Sequence, residues 1–335
     1  GLIEYATKNG YELKVIDTTQ SSFPVPPFKQ RLLRGLSRVK QLWSILSNKK
    51  PRGVIIFSSA GFSFYERIIL SCMCRLFKVP DIFFVRSGHF YKDVNSSFFK
   101  RTVANNLLKI PKLIGAQGQD WVEFYKSIGV DEKKIKTVRN WVRNDVPTEN
   151  NYINCRPTET VNFVFVGWLV KEKGVLELLD AALFLSKKYR FTLRLIGGGT
   201  LEKYCFDFVK MNNMEEFIFL DGWVTYSLVL ERLMVSHVFI LPSEAEGFPN
   251  ALLEAMAVGL PSICTRVGGV SDSINNKVNG YLLEDNSASS ITKAMSNYIT
   301  EPYLIAQHSI QTKTIFKRLH GRDENCQLIF DNLLD

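Results

Sequence analysis

The sequence predicts an α/β protein built from two doubly wound parallel sheets. Its 335 residues are enough for about two domains of about 150 residues each. Short β-branched and aromatic runs alternate with helix-length patterns, once in each half. A polar stretch at 143–159, with two prolines and several asparagines, separates the two series and reads as a linker.

In the first series the strands are expected at 13–18, 53–58, 81–87, 112–117 and 135–140, with helices at 30–46, 64–77 and 98–108. In the second, strands are expected at 162–168, 191–197, 217–222, 237–243, 262–267 and 280–284. Helices fit between them at 175–188, 201–211, 227–234 and 250–258. This gives domains at 1–150 and 151–310, with a C-terminal helix at 311–335 packing back on the first. Ligands of such sheets bind beyond the C-terminal strand ends, which in a two-domain protein can face one another across a cleft. Residues 2–9 read as the end of a helix capped by Gly10. A first strand is therefore expected upstream of Gly1, within about 15–30 residues, the size of a βα half-unit.

Composition removes several classes. With 46% hydrophobic and 22% charged residues the chain is neither disordered nor fibrous. It has no apolar run long enough for a transmembrane helix and no signal-peptide pattern at its start. The six cysteines (Cys72, Cys74, Cys155, Cys205, Cys264, Cys326) are scattered and read as reduced thiols of a cytosolic protein.

The net charge of +9 is uneven: residues 1–150 carry 25 Lys and Arg against 12 Asp and Glu, and 151–335 carry 17 against 21. Between Thr18 and Tyr65 there is no acid at all. Within this stretch Leu32, Leu36, Val39, Trp43 and Leu46 recur at steps of four and three, an apolar face on a basic helix. One reading packs that face on the sheet; the other rests the helix on an anionic membrane surface. The two coexist if the stripe faces the core and the bases face lipid. Nucleic acid is not expected as a partner, since no recognition motif accompanies the charge.

The most informative stretch is 241–259, Leu-Pro-Ser-Glu-Ala-Glu-Gly-Phe-Pro-Asn-Ala-Leu-Leu-Glu-Ala-Met-Ala-Val-Gly. A strand ends at Leu241, a loop carries Glu244 and Glu246, and Pro249 suits a first helical turn. Glu254 then stands in an otherwise apolar helix, where a carboxylate needs a partner. The start of that helix presents partial positive charge to a phosphate.

Glu246 and Glu254 show an E-x7-E spacing, and the whole phrase resembles the C-terminal signature of retaining GT-B glycosyltransferases, family 4 (the group 1 glycosyltransferases). The segments 165–174 (Phe-Val-Gly-Trp-Leu-Val-Lys-Glu-Lys-Gly), 195–199, 221–224 and 265–269 agree with it. The resemblance implies two Rossmann-like domains facing a cleft, and transfer of a sugar from a nucleotide donor with retention of configuration. It implies that Glu254 holds the ribose and that Glu246 lies near the donor sugar, surrounded by Gly247, Phe248, Pro249 and Asn250. Lys173 matches the lysine that neutralises the donor diphosphate; the bland alternative is an i,i+4 pair with Glu177. Gly198, Gly222, Trp223 and Val224 follow strands and can approach the nucleotide; by the resemblance, Gly167 and Trp168 also border it.

Two departures stand out. Trp168 occupies the position of the family's arginine, leaving Lys171 or Arg266 as substitutes. In place of an acceptor-side His-Gly pair the chain has Arg86-Ser-Gly-His-Phe90, which makes His89 the candidate. His237, His308 and His320 read as strand and tail residues without a site partner.

The resemblance further implies no metal and no cofactor, the nucleotide-diphosphate sugar being a co-substrate. The acceptor would be a glycan or lipid-linked glycan, in bacterial surface polysaccharide or lipopolysaccharide assembly at the cytoplasmic face of the plasma membrane. The rivals are a sugar-nucleotide epimerase of the same fold and a nucleotide-sugar-binding protein without catalysis. A dehydrogenase does not fit, since the G-x-G-x-x-G spacing and its downstream acid are absent.

Overall fold

A computed structural model describes residues 1–19, 26–147 and 160–334. It comprises two compact units, Gly1–Arg139 with Arg322–Asp335, and Asn140–Gly321. Most of the polar stretch 143–159, the expected boundary at 150/151 and Cys155 lie outside the described residues.

The first unit runs α1 (Leu2–Lys8), α2 (Phe28–Asn48), β1 (Val54–Ser58), α3 (Phe62–Leu76), β2 (Asp81–Val85), α4 (Gly88–Asn95), α5 (Phe98–Leu108), β3 (Leu113–Ala116), α6 (Gln119–Ser127) and β4 (Ile135–Thr137). Its four strands are all parallel, in the order β1-β2-β3-β4. Every residue of β2 and β3 is buried, as expected of strands covered by helices on both faces. Phe83, Ile114, Trp121 and Tyr125 fill this core.

Two expectations fail here. Residues 13–18 form no strand, and each is only partly buried or exposed. The run is rich in β-branched residues, but no strand ladder takes it up among the described residues. Only part of the apolar stripe of α2 meets the core, through Val39 and Leu46. Its buried residues are Gly35, Arg38, Leu42, Ile45 and Leu46, whereas Leu32, Leu36 and Trp43 are exposed. A buried ionic cluster takes the helix–helix contact instead. Glu66 of α3 accepts from Arg38 Nη1 at 2.7 Å and pairs with Arg67 Nη1 at 2.6 Å.

The second unit runs β5 (Val161–Val166), a 3-10 turn at Lys171–Lys173, α7 (Val175–Ser186), β6 (Phe191–Ile196), α8 (Glu202–Met211), β7 (Ile218–Gly222), α9 (Tyr226–Met234), β8 (Val238–Leu241), α10 (Asn250–Ala257), β9 (Ser262–Thr265), α11 (Val270–Ser273), β10 (Gly280–Leu283), α12 (Ala288–Thr300) and α13 (Tyr303–Leu319). Its six parallel strands are ordered β10-β9-β8-β5-β6-β7. From β5 the chain winds outward through β6 and β7, then returns to the other side through β8, β9 and β10. The β5/β8 boundary is thus the topological switch point, where ligands of such sheets bind.

In place of one helix over 311–335, α13 stays in the second unit and α14 (Arg322–Leu334) belongs to the first. Between them His320 is buried, its Nε2 within 2.8 Å of Ser273 Oγ and its Nδ1 within 2.7 Å of the Asn140 carbonyl. These contacts hold the chain where helix α13 ends. In the first unit, Phe330 of α14 stacks on Tyr11 with centroids 4.4 Å apart. Asn325 Oδ1 accepts from the Arg139 amide at 2.8 Å.

Candidate functional site

The loops leaving β5, β6, β7, β8 and β9 are laced together at one end of the second sheet. After β5, Gly174 adopts φ 69°, and a Cβ there would lie 2.1 Å from the Pro242 carbonyl oxygen. Only glycine serves where a left-handed conformation and so close an approach coincide. The Glu244 amide donates to the Glu172 carbonyl at 2.8 Å, tying the loop after β8 to the turn after β5. The loop after β9 joins through the Gly269 amide, which donates to Gly247 O at 3.0 Å.

These backbone ties bring together two side chains 73 residues apart: Lys173 Nζ donates to Glu246 Oε1. Ser243 Oγ donates to the same oxygen at 2.9 Å, and Thr265 Oγ1 in turn donates to the Ser243 carbonyl. Lys173 and Glu246 thus meet across the switch point, one after β5 and one after β8. The i,i+4 partner Glu177 is not used. The pair is partly open to solvent, at 22% and 11% side-chain exposure, so the ammonium is held yet reachable.

Around the pair the expected residues fall as follows. Phe248 is buried with its ring against His320, centroids 5.1 Å apart. Pro249 is the N-cap of α10 rather than a residue of its first turn, and Asn250 opens the helix with no side-chain cap bond. Proline has no N–H to offer and its extended ψ of 122° suits the capping position. Gly167 N donates to Ile196 O at 3.0 Å and Leu169 N to Gly198 O at 2.9 Å, so the turns after β5 and β6 run against each other. Gly197 N donates to Gly222 O at 2.8 Å, adding the turn after β7. Trp168 and Trp223 meet edge to face at 4.8 Å, and a Cβ on Gly198 would lie 2.5 Å from Trp223 Nε1. Val224 follows, partly buried. Asp221 braces this turn, pairing with Arg194 and, at 3.1 Å, with Arg232.

Neither substitute for the arginine lost at Trp168 joins the pair. Arg266 forms an exposed ion pair with Glu284 at 3.0 Å, and Lys171 is exposed. His89 lies in the first unit, exposed in the first turn of α4 just after β2. Of the other histidines, His237 Nδ1 accepts from the Asn162 amide at 3.0 Å and His308 Nδ1 lies 2.8 Å from Tyr298 Oη, whereas His320 does meet a candidate residue, Phe248. Of the cysteines, Cys74, Cys205, Cys264 and Cys326 are buried and free, and Cys72 is exposed.

Glu254 projects from α10 into a small cluster that sequence reasoning missed. Burial raises its pKa, opposed by the neighbouring Tyr226 hydroxyl and by Arg143. The Arg143 guanidinium lies 4.6 Å from the centre of the Tyr226 ring, an attractive cation–π contact. Arg143 also pairs with Asp145 at 2.9 Å. Tyr226 neighbours both Arg143 and Glu254 and lies two residues beyond the 221–224 segment, so its position near that motif was the available signal. Arg143 and Asp145 carried none, since both fell in the polar stretch read as linker.

The raised pKa has a consequence for stability. A carboxyl that stays protonated longer in the native state makes that state bind more protons than the unfolded chain, so stability falls as pH rises from 4.5 through the native pKa. A Glu254→Gln variant is expected to lose less stability across that interval. Thermal unfolding of both proteins as a function of pH checks this, and parallel curves would refute it.

The comparisons with known proteins point the same way. A family model described as Glycosyl transferases group 1 matches residues 149–314. An uncharacterized glycosyltransferase of Methanocaldococcus jannaschii is 30% identical over 220 residues, 59% of this chain and 61% of that protein. A UDP-Gal:alpha-D-GlcNAc-diphosphoundecaprenol alpha-1,3-galactosyltransferase of Escherichia coli is 25% identical over 303 residues, covering 84% of this chain and 75% of that protein. The chain spans about half the length of the first curated relatives it matches, at 61, 32 and 44%. Among solved structures, sucrose-phosphate synthase from Thermosynechococcus elongatus superposes with a TM-score of 0.77 at 14% identity, over 99% of this chain and 90% of that one. At that identity the likeness shows the fold alone, the GT-B type with two parallel α/β sheets.

Proposed function

We propose that this chain, whose residues 149–314 match the model of the glycosyl transferases group 1 family, is a retaining glycosyltransferase that takes its sugar from a nucleotide-diphosphate donor. The observation that carries the reading is the Lys173–Glu246 pair across the β5/β8 switch point. In this proposal the donor diphosphate lies against Lys173 and the N-terminus of α10. The acceptor oxygen bonds to the anomeric carbon on the face the phosphate leaves, and its hydroxyl proton passes to the departing diphosphate oxygen as the glycosyl–phosphate bond breaks. The leaving nucleoside diphosphate keeps the bonding pair, and the Lys173 ammonium stabilises the charge it gains. The backbone N–H groups at the start of α10 add partial positive charge at the same place. With that charge supplied by the chain itself, the proposed reaction uses no metal.

Glu246 would lie at the donor sugar, held by Ser243 and Lys173, with Gly247, Phe248, Pro249 and Asn250 around it. Glu254 would accept from the ribose hydroxyls. Gly167, Trp168, Gly198, Gly222, Trp223 and Val224 would border the nucleotide, and His89 would serve the acceptor. The proposed acceptor is a glycan, lipid-linked as the name of the Escherichia coli relative indicates for that enzyme. The setting is bacterial surface polysaccharide assembly at the cytoplasmic face of the plasma membrane, which the basic first half of the chain suits.

The test is a screen of nucleotide sugars by thermal shift, followed by incubation of the stabilising donor, labelled in the sugar, with and without a lipid-linked glycan. Label appearing in the glycan with its anomeric configuration kept is the expected result. Acceptor-independent formation of an epimeric nucleotide sugar would overturn it.

A further inference from the structure

The exposed apolar residues of the first unit are organised. On α2, Leu32, Leu36 and Trp43 are 44%, 52% and 51% exposed; on α3, Tyr65, Ile69 and Leu76 are 50%, 53% and 70% exposed. The α3 residues follow steps of four and seven, so they form one row along the helix. The two helices lie side by side and run the same way. Phe28 meets Phe62 near their starts, and Trp43 meets Phe77 near their ends. Between them the Glu66 carboxylate reaches Arg38. Two helices thus present adjacent apolar rows on one side of the unit, where a monomeric soluble protein ordinarily shows polar residues.

The charge around these rows has one sign. Every charged residue of α2 is basic: Lys29, Arg31, Arg34, Arg38 and Lys40. From Thr18 to Pro80 the sole acid is Glu66, and it is buried between Arg38 and Arg67. Lys29, Arg34, Lys40, Arg75 and Lys78 are exposed. A second copy of this face would bring like charge against like. A bilayer with anionic headgroups offers what both features need, hydrocarbon for the leucines and negative charge for the bases. No helix among the described residues is long and apolar enough to cross a membrane, so the contact is one of lying on the surface.

We infer that the face shared by α2 and α3 is a docking surface for a bilayer containing anionic phospholipid. The inference rests on the membrane setting proposed above and names the surface responsible, and it does not need the transfer reaction.

The experiment is co-sedimentation of the full chain with vesicles of phosphatidylcholine alone, or of phosphatidylcholine and phosphatidylglycerol at about two to one, with sedimentation velocity of the free protein alongside. Binding to the anionic vesicles alone is expected, weakening steeply with salt. Leu36→Ser with Ile69→Ser is expected to weaken it at least about tenfold, since two side chains no longer enter hydrocarbon. Lys29→Glu with Lys40→Glu is expected to do the same by charge. All four positions are exposed, so both variants keep the fold, and donor thermal shift should match the parent's. Failure of the parent to bind anionic vesicles would overturn the proposal together with the membrane setting. Undiminished binding by both variants would overturn this surface and leave the setting intact. A concentration-dependent dimer dispersed by Leu36→Ser with Ile69→Ser would assign the face to a second copy and overturn the proposal as well.

Discussion

Replacing Lys173 by alanine is expected to lower kcat for sugar transfer by about 10²–10³-fold, the usual loss when one fixed electrostatic contact to a developing charge is removed. The effect follows from where the ammonium stands. Lys173 closes a single 3-10 turn held by Gly174 against the Pro242 carbonyl, and its Nζ is oriented by Glu246. Its position is therefore set before a donor arrives. KM is expected to change less than kcat, because the leaving diphosphate carries more charge in the transition state than in the bound donor. Lys173→Arg should recover part of the rate, since charge survives but the branched guanidinium does not reproduce the Nζ geometry. Steady-state kinetics of both variants decide the matter. An alanine variant with the parent's kcat would remove Lys173 from the chemistry. If KM alone rose, the lysine would serve binding only.

The second large effect concerns the first unit. Glu66→Gln is expected to destabilise it by about 3–5 kcal/mol, the cost of breaking a buried ion pair from one side. Arg38 and Arg67 have side chains only 4% exposed, and both point at this one carboxylate. Burial already lowers the Arg67 pKa, with Glu66 opposing that shift. Removing the carboxylate leaves two buried cations facing each other without a counter-charge. Replacing the whole cluster, Glu66→Met with Arg38→Met and Arg67→Met, should restore much of the loss, because apolar side chains of similar length carry no desolvation penalty. Urea unfolding followed by proteolysis of the first unit measures both. A Glu66→Gln loss within about 0.5 kcal/mol, typical of a surface site, would show that the cluster is not what joins α2 to α3.

Much of the fold was legible in advance because parallel strands covered on both faces are nearly continuous apolar runs. Phe191–Ile196, Ile218–Gly222 and Gly280–Leu283 lie within a residue or so of their expected bounds, and Phe98–Leu108 matches its expected helix. Helices α4 and α6 were not anticipated. Gly88–Asn95 mixes aromatic and polar residues over only two turns, too short for a period to emerge. The candidate site was legible for a different reason. Motif residues sit where a strand ends and a loop must turn, and glycine, proline and a lone carboxylate are visible there without any packing information.

What the sequence determined by itself is local: the strand and helix order, the uneven charge, and the residues gathered at 165–174, 195–199, 221–224 and 241–259. Each follows from spacing or composition within one segment. Tertiary structure decided every question whose answer lies between segments. It gave Lys173 to Glu246 rather than to Glu177, set Tyr226 beside both Arg143 and Glu254, and passed the chain at Gly321 from one unit to the other. It also split the apolar stripe of α2, with Val39 and Leu46 on the core and the rest outward. A helical wheel shows that a face is apolar, but which face is buried depends on the neighbour. Here the neighbour is α3, whose Glu66 draws Arg38 inward and leaves Leu32, Leu36 and Trp43 to solvent.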